Sequence, residues 1–355
     1  MRRAAAVLAL VALAAACDPA ATPSVPEPLP THEPGGGGTG ERVLLAVGDI
    51  ACAPGDQVTV TRCHHAGTAA LVGDLAAAGD DLVGVVLLGD TQYEQGRDAE
   101  YASFDETWGR AIDRASVATL PATGNHEYAD PDPAPPGCRL DDGAQHACGF
   151  ERYFGEAPFT GTATDGHASY ARLFGRGARH PLAVIVLDVG RCEQDPAACA
   201  AGGPVATFLV RALHDPAVNP PSACTVLAWH QAPWSDYGHG DLAFVGPVWR
   251  AAFVAGGARP DLVLNGHDHL YARMPALGPD GQAEPDGIVQ VIAGAGGREV
   301  VGLPFAGDPP GRTAFADTGR FGVVRVGWDA TRGRLATAFV TEDGDAVDPQ
   351  RIDCR

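Results

Sequence analysis

Leu82–Tyr93 reads LVGVVLLGDTQY, an apolar run broken only by Gly84, then Gly89-Asp90, then a tyrosine three residues beyond the aspartate. An apolar run of this length, closed by a turn signal, predicts a buried strand with a polar group at its end. The same grammar appears upstream, where Val43–Val47 (VLLAV) runs into Gly48-Asp49. Between the two, His65–Ala78 has Ala66, Ala69, Leu71, Val72 and Leu75 at helical spacing. Downstream, Ala99–Ala115 predicts a helix with Tyr101, Phe104, Trp108 and Ile112 on one face. Val117–Leu120 predicts a strand leading to Gly124-Asn125-His126-Glu127.

Residues 129–149 form a Pro/Gly/Asp-rich insertion. Beyond it, Ala168–Phe174, Leu182–Leu187, Cys224–Trp229 and Leu262–Leu264 read as strands, and Val205–Leu213 and Val248–Ala255 as helices. Gly287–Ala293, Phe321–Val326 and Leu335–Thr341 read as strands of a largely antiparallel C-terminal stretch. The pattern is β-α-β-α-β first and mostly strands later. It predicts an α/β domain of two packed sheets with helices outside, spanning residues 41–355, with no internal repeat.

Five of these strands end in groups able to hold a metal: Asp49; Asp90 with Tyr93; Asn125-His126; His230; and His267 with His269. Sites in open α/β sheets form beyond the carboxyl ends of strands, so five segments converging there point to one centre. Taken singly each has a blander reading, since Gly-Asp after a strand is usually a turn and a lone histidine is usually structural. Carboxylates, imidazoles and a phenol suit hard or borderline ions such as iron, zinc or manganese. A shared carboxylate can hold two ions about 3.5–4 Å apart. His267 and His269 are two residues apart, so an extended backbone would turn both to one side.

GDIA (48–51), GDTQY (89–93), GNHE (124–127), WH (229–230) and GHDH (266–269), in that order, resemble the calcineurin-like metallophosphoesterase superfamily, and within it the purple acid phosphatases and their bacterial relatives. The resemblance spans about residues 43–273 through these motifs. It implies a four-layer α/β/β/α sandwich of two mixed sheets. It also implies a first metal held by Asp49, Asp90, Tyr93 and His269 and a second held by Asp90, Asn125, His230 and His267. Most of the superfamily carries Asp-x-His in the first motif; here that position is Ala51, which cannot ligate, and Tyr93 matches the tyrosine that replaces it in the purple enzymes. A phenolate favours a hard, highly charged ion. The resemblance therefore implies Fe(III) at the Tyr93 site and Fe(II), Zn or Mn at the second.

His126 resembles the family histidine that contacts phosphate and protonates the leaving oxygen. His239, nine residues after His230, occupies the spacing of a second substrate histidine; a further histidine found in some relatives is Gly240 here. Asp236 and Asp241 could take part or could be solvated loop acids. Arg273 and Arg298 are the basic candidates near the motifs, with surface arginine the safer reading for both. The implied reaction is hydrolysis of a phosphate monoester by attack of a metal-bound hydroxide. A phosphodiesterase or nucleotidase on the same core is the nearest alternative, and a non-catalytic metal- or phosphate-binding surface lipoprotein is one of another class.

The N-terminus speaks of location. Residues 1–16 carry Arg2-Arg3 and an apolar run Ala4–Ala16, too short to span a bilayer and of signal-peptide length. Ala14-Ala15-Ala16-Cys17 resembles a bacterial lipoprotein box, with an ordinary cleaved signal as the alternative. Residues 17–40 then read as a lipidated Cys17 on a Pro- and Gly-rich tether, which places the domain outside the cell membrane, anchored or secreted. Eight cysteines remain, and nearness favours Cys52–Cys63, Cys138–Cys148 and Cys192–Cys199, leaving Cys224 with Cys354. The rival reading, a zinc ribbon, lacks any CxxC pair.

The basic side chains number 25, all arginine, against 44 acidic, for a net charge of −19. An acidic chain is a poor partner for a nucleic-acid backbone. It remains compatible with a small phosphate ester if metal ions provide local positive charge.

Overall fold

A computed structural model describes residues 41–129, 147–155, 168–254, 259–301 and 311–355. The signal-like segment, Cys17, the tether, Cys138 and most of the loop 129–166 lie outside the described residues. In chain order the elements are β1 Arg42–Val47, α1 His65–Ala77, β2 Asp81–Leu88, α2 Tyr101–Phe104, α3 Arg110–Ala115, β3 Ala118–Ala122, α4 Cys148–Phe154, β4 Tyr170–Phe174, β5 Leu182–Val186, α5 Pro204–His214, β6 Cys224–Ala228 and α6 Gly246–Val254. They continue as β7 Leu262–Asn265, β8 Tyr271–Leu277, β9 Ile288–Ala293, β10 Phe315–Asp317, β11 Gly322–Asp329, β12 Arg334–Thr341 and β13 Ala346–Asp353.

Two mixed sheets result. One has the order β13-β12-β11-β1-β2-β3, the other β10-β8-β9-β7-β6-β5-β4. In the first, β1, β2 and β3 are parallel and β11 joins β1 antiparallel. In the second, β5, β6, β7 and β9 are parallel, with β4 and β8 antiparallel. The period of two along each strand sorts side chains between layers. Leu182, Val184, Val226, Leu262 and Leu264 pack in one core with Val43, Leu45 and Val86 of the other sheet, and that core also takes in Val72 of α1 and Ile112 of α3. Ile185, Leu227 and Val263, one residue out of phase, face Leu209, Leu213 and Trp249 of α5 and α6. The two sheets are therefore packed face to face with helices outside.

The predicted helix over 99–115 begins at Tyr101 and runs to Ala115 through a wider turn at Asp105–Gly109, with Tyr101, Phe104, Trp108 and Ile112 buried as its spacing required. Three strands escaped the sequence reading, for physical reasons. β8 contains Pro275, and its register slips between Arg273 and Ala276 to accommodate it. β13 contains Pro349, alternates half-exposed residues, and lies at a sheet edge, where proline is tolerated. β10 is only three residues long. Helix α4 falls partly within the stretch that reads as an insertion.

Three of the expected disulfides are present: Cys52–Cys63, Cys192–Cys199 and Cys224–Cys354. The fourth expected bridge, Cys138–Cys148, has one end outside the described residues. Cys224–Cys354 closes a separation of 130 residues and joins the start of β6 in one sheet to the residue after β13 in the other. Replacing Cys224 and Cys354 together by Ala should lower the unfolding free energy by about 2–4 kcal/mol. Denaturant titration under oxidising conditions measures this, and an unchanged midpoint would contradict it.

Candidate metal centre

β1, β2, β3, β6 and β7 end on the same side of the paired sheets, and each delivers a polar residue just past its last apolar one. The loops there are tight. Gly89 has φ +83°, and a Cβ on it would come within 2.7 Å of the Gly124 nitrogen. Asp49, Asp90 and His267 are themselves in the left-handed region, at φ 59°, 47° and 75°. That conformation costs a non-glycine residue of order 1–3 kcal/mol and persists only where surroundings impose it.

The side chains these loops present form two adjoining clusters. In the first, the Tyr93 hydroxyl lies 3.0 Å from Asp49 Oδ1, 3.0 Å from Asp90 Oδ2 and 3.1 Å from His269 Nε2. In the second, His230 Nε2 lies 3.2 Å from Asp90 Oδ2, 3.1 Å from Asn125 Oδ1 and 3.2 Å from His267 Nδ1. Asp90 Oδ2 belongs to both. Asp49, Asp90 and His230 are close enough together to hold one metal ion. All seven candidate ligands of the sequence reading thus meet in one place, and their oxygen and nitrogen donors fit hard or borderline cations.

Electrostatics follow from packing charges into a buried space. Burial by itself raises the Asp90 carboxyl, but His230 and His126 outweigh it and hold Asp90 well below its usual range. Burial lowers His230, yet Asp90 and Asp49 push it up to about 10; His269 reaches about 10 against burial chiefly through Asp49. His267 is driven well below its ordinary value by burial and by His230 and His239. It is therefore held in its neutral form. Burial, with Asp49 and Asp90 adding to it, raises the Tyr93 phenol well above its ordinary value. A cation in the same space would reverse that, since a bound metal favours the deprotonated ligand.

A supporting layer escaped the sequence reading. Glu127 accepts from the backbone N–H of Asp90 (2.9 Å), Thr91 (2.7 Å) and Gly124 (2.6 Å) and from the Thr91 hydroxyl (2.8 Å). Burial and Asp90 push its carboxyl up, while these donors pull the other way and are satisfied by a carboxylate. The Leu88 carbonyl, 2.7 Å from His230 Nδ1, turns the other ring nitrogen into the centre. Asp268 accepts both the backbone N–H and Nδ1 of His239, at 2.8 and 3.0 Å. The only local signal for these residues was their place inside motifs already assigned to neighbours.

His126 and His239 border the clusters. His126 Nε2 is 3.9 Å from Asp90 Oδ2, and His239 stacks on His267 with centroids 3.9 Å apart while half its side chain stays exposed. Asp236 and Asp241 do not join the clusters. They bind Arg312 and Thr313, fastening one loop to another. Neither arginine is a free surface residue, contrary to expectation. Arg273 makes a two-pronged pair with Asp348, at 2.7 and 3.0 Å. Arg298 is 8 % exposed, and its guanidinium lies over the Tyr93 ring.

Neither a protein-family model nor a curated relative matches the sequence. Solved structures do match. Purple acid phosphatase PPD1 from yellow lupin (Lupinus luteus) seeds superposes with a TM-score of 0.60 at 18 % identity, over 88 % of this chain and 54 % of its own. The chain has the calcineurin-like metallophosphoesterase fold. A dimetal phosphatase from Danio rerio matches this metallophosphoesterase fold with a TM-score of 0.51 at 14 % identity, over 88 % of this chain and 99 % of its own. GAP50, the anchor in the inner membrane complex of Plasmodium, matches with 0.56 at 12 %, over 89 % of each. At these identities the likeness is one of fold, and the chain spans about half the length of the lupin enzyme.

Two raised imidazoles make metal binding compete with protons. With His230 and His269 at about 10, the metal-free protein holds both protonated at neutral pH. Each adds stability that is complete below its ordinary value of 6.5 and is lost as the pH rises through about 10. Zinc binding should release up to two protons from His230 and His269, with a further one where the Tyr93 phenol ligates, and should tighten as the pH rises from about 6 to 9. Calorimetry in buffers of different ionisation enthalpy reads this directly, and affinity independent of pH would rule it out.

Proposed function

We propose that the chain is a dinuclear-metal phosphoric ester hydrolase acting on small phosphate monoesters. The observation that carries this reading is the shared position of Asp90 Oδ2, 3.0 Å from the Tyr93 hydroxyl and 3.2 Å from His230 Nε2. One carboxylate oxygen between two clusters of nitrogen and oxygen donors is what a pair of ions requires. The first ion is assigned to Asp49, Asp90, Tyr93 and His269, and the phenol makes Fe(III) the fitting occupant. The second is assigned to Asp90, Asn125, His230 and His267, with Fe(II), Zn or Mn as candidates. When bound, the two ions supply Lewis acidity and the positive charge that an acidic protein otherwise lacks at this place.

The protein's own groups then divide the remaining work. His126 Nδ1 lies 2.5 Å from the Glu94 carbonyl, so that nitrogen donates, leaving Nε2 towards the clusters. A proton on Nε2 is the one available to the departing alkoxide oxygen. His239, held through Nδ1 by Asp268, leaves its own Nε2 for a phosphate oxygen. Glu127 ties the Asp90 and Gly124 loops together through their backbone N–H groups.

We assign the chain to the outside of the cell membrane, held by lipid at Cys17 or released. The signal-like residues 1–16 motivate this, and the three disulfides suit an oxidising compartment.

Asp90→Asn should leave the protein without its pair of metals and reduce hydrolysis of p-nitrophenyl phosphate to background. Metal analysis and steady-state kinetics measure both, and a variant that keeps two metals and full turnover would sink the assignment. Tyr93→Phe should abolish tyrosinate-to-iron absorption in iron-loaded protein. Comparison of kcat/KM for p-nitrophenyl phosphate and its bis ester tests the monoester preference.

A further inference from the structure

Arg298 lies 204 positions along the chain from Glu94, yet its Nη2 is 2.5 Å from Glu94 Oε1. Its guanidinium carbon sits 5.0 Å from the centroid of the Tyr93 ring. Among the described residues its buried Nε has no hydrogen-bond partner, so the plane is placed for the ring face at the expense of one donor. The backbone beneath it is tied at both groups. Its N–H donates to the Asp49 carbonyl at 2.9 Å, and its carbonyl accepts from Cys63 N–H at 3.1 Å, with Cys52 Sγ 3.4 Å away. The Cys52–Cys63 disulfide and the end of β1 thus provide a firm base for the side chain.

We propose that Arg298 is a positioning residue for this centre, clamping the Tyr93–Glu94 segment from outside. The proposal rests on the function given above and adds a residue to it. Through the ring face, Arg298 holds the Tyr93 oxygen towards Asp49, Asp90 and His269. Through the Glu94 side chain it holds the residue whose carbonyl, 2.5 Å from His126 Nδ1, directs that imidazole. One guanidinium therefore sets both a candidate metal ligand and the proton donor, whose rings stand 4.4 Å apart. A planar cation can stack on an aromatic face while pairing with a carboxylate at its edge, which an ammonium cannot do equally well. Because Glu94 neutralises it, Arg298 is not itself offered as a phosphate ligand.

The test compares Arg298→Met, Arg298→Lys, Glu94→Gln and the Arg298→Met/Glu94→Gln double variant with wild type, all iron-loaded. Metal content, the tyrosinate-to-iron visible band, and kcat and KM on p-nitrophenyl phosphate are measured. Arg298→Met is expected to keep its metals, shift the visible band, and lower kcat about 30- to 100-fold with KM within about threefold. Arg298→Lys should recover part of the kcat. The double variant should be no slower than Arg298→Met, because that substitution already breaks the contact with Glu94. If Arg298→Met fails to fold, Glu94→Gln carries the same expectation at about 3- to 10-fold. An unchanged band with wild-type kcat overturns the clamp, as does a loss of kcat that merely tracks lost metal, or additive losses in the double variant. Wild-type protein that binds iron without a visible band sinks the Tyr93 assignment and the clamp with it, and that result is read before any variant is made.

Discussion

Both oxygens of Asp90 are spoken for. Oδ1 accepts the His126 backbone N–H at 2.9 Å, and Oδ2 faces Tyr93 and His230. The carboxylate is 2 % exposed, so its charge must be met from within the protein. A buried charge of this kind is costly unless paired and hydrogen-bonded. Much of the neighbouring structure answers that requirement. Glu127 fastens the loop that carries it, the Leu88 carbonyl aims His230 at it, and the backbone of Asp90 is left-handed at the strand end.

The paired sheets make such convergence possible. β1, β2 and β3 in one sheet and β6 and β7 in the other bring their carboxyl ends to one edge of the sandwich, and the period-two sorting of side chains keeps the layers between them apolar. The loops at that edge can then be short, polar and strained, because a rigid core holds their ends. The disulfides reinforce the same edge and the far end. Cys52–Cys63 lies beside the centre and Cys224–Cys354 staples one sheet to the other.

The acidity of the chain takes on a local meaning. With 44 acidic and 25 basic side chains, a phosphate ester finds no general attraction to the surface. Positive charge is confined to particular places, and several arginines are already committed: Arg273 to Asp348, Arg312 to Asp236 and Asp241, Arg298 to Glu94. The histidines and whatever cations the clusters hold are left to meet an anionic substrate. Such an arrangement suits the proposed phosphate monoester better than a polyanion, which needs an extended basic face.

The residues at the strand ends were legible in the sequence because their signals are local: an apolar run, a glycine, then a donor. The order of most elements was legible for the same reason. Beyond the motif cluster and the Cys224–Cys354 bridge, what lay outside a window of about ten residues was not. β8 and β13 carry prolines that read against a strand, and only pairing with β9 and β12 makes them strands. β11 sits beside β1 across nearly the whole chain, a register no local pattern states. Arg298 and Asp268 look like surface charges in one dimension, yet each is buried against a residue tens or hundreds of positions away. The sequence by itself determined which donors exist and that they stand at the ends of buried strands, because hydrophobic periodicity is written residue by residue. Tertiary structure alone decided which side chains hold those donors in place, because the contacts of Glu127, Asp268 and Arg298 arise only when two sheets close over a common core.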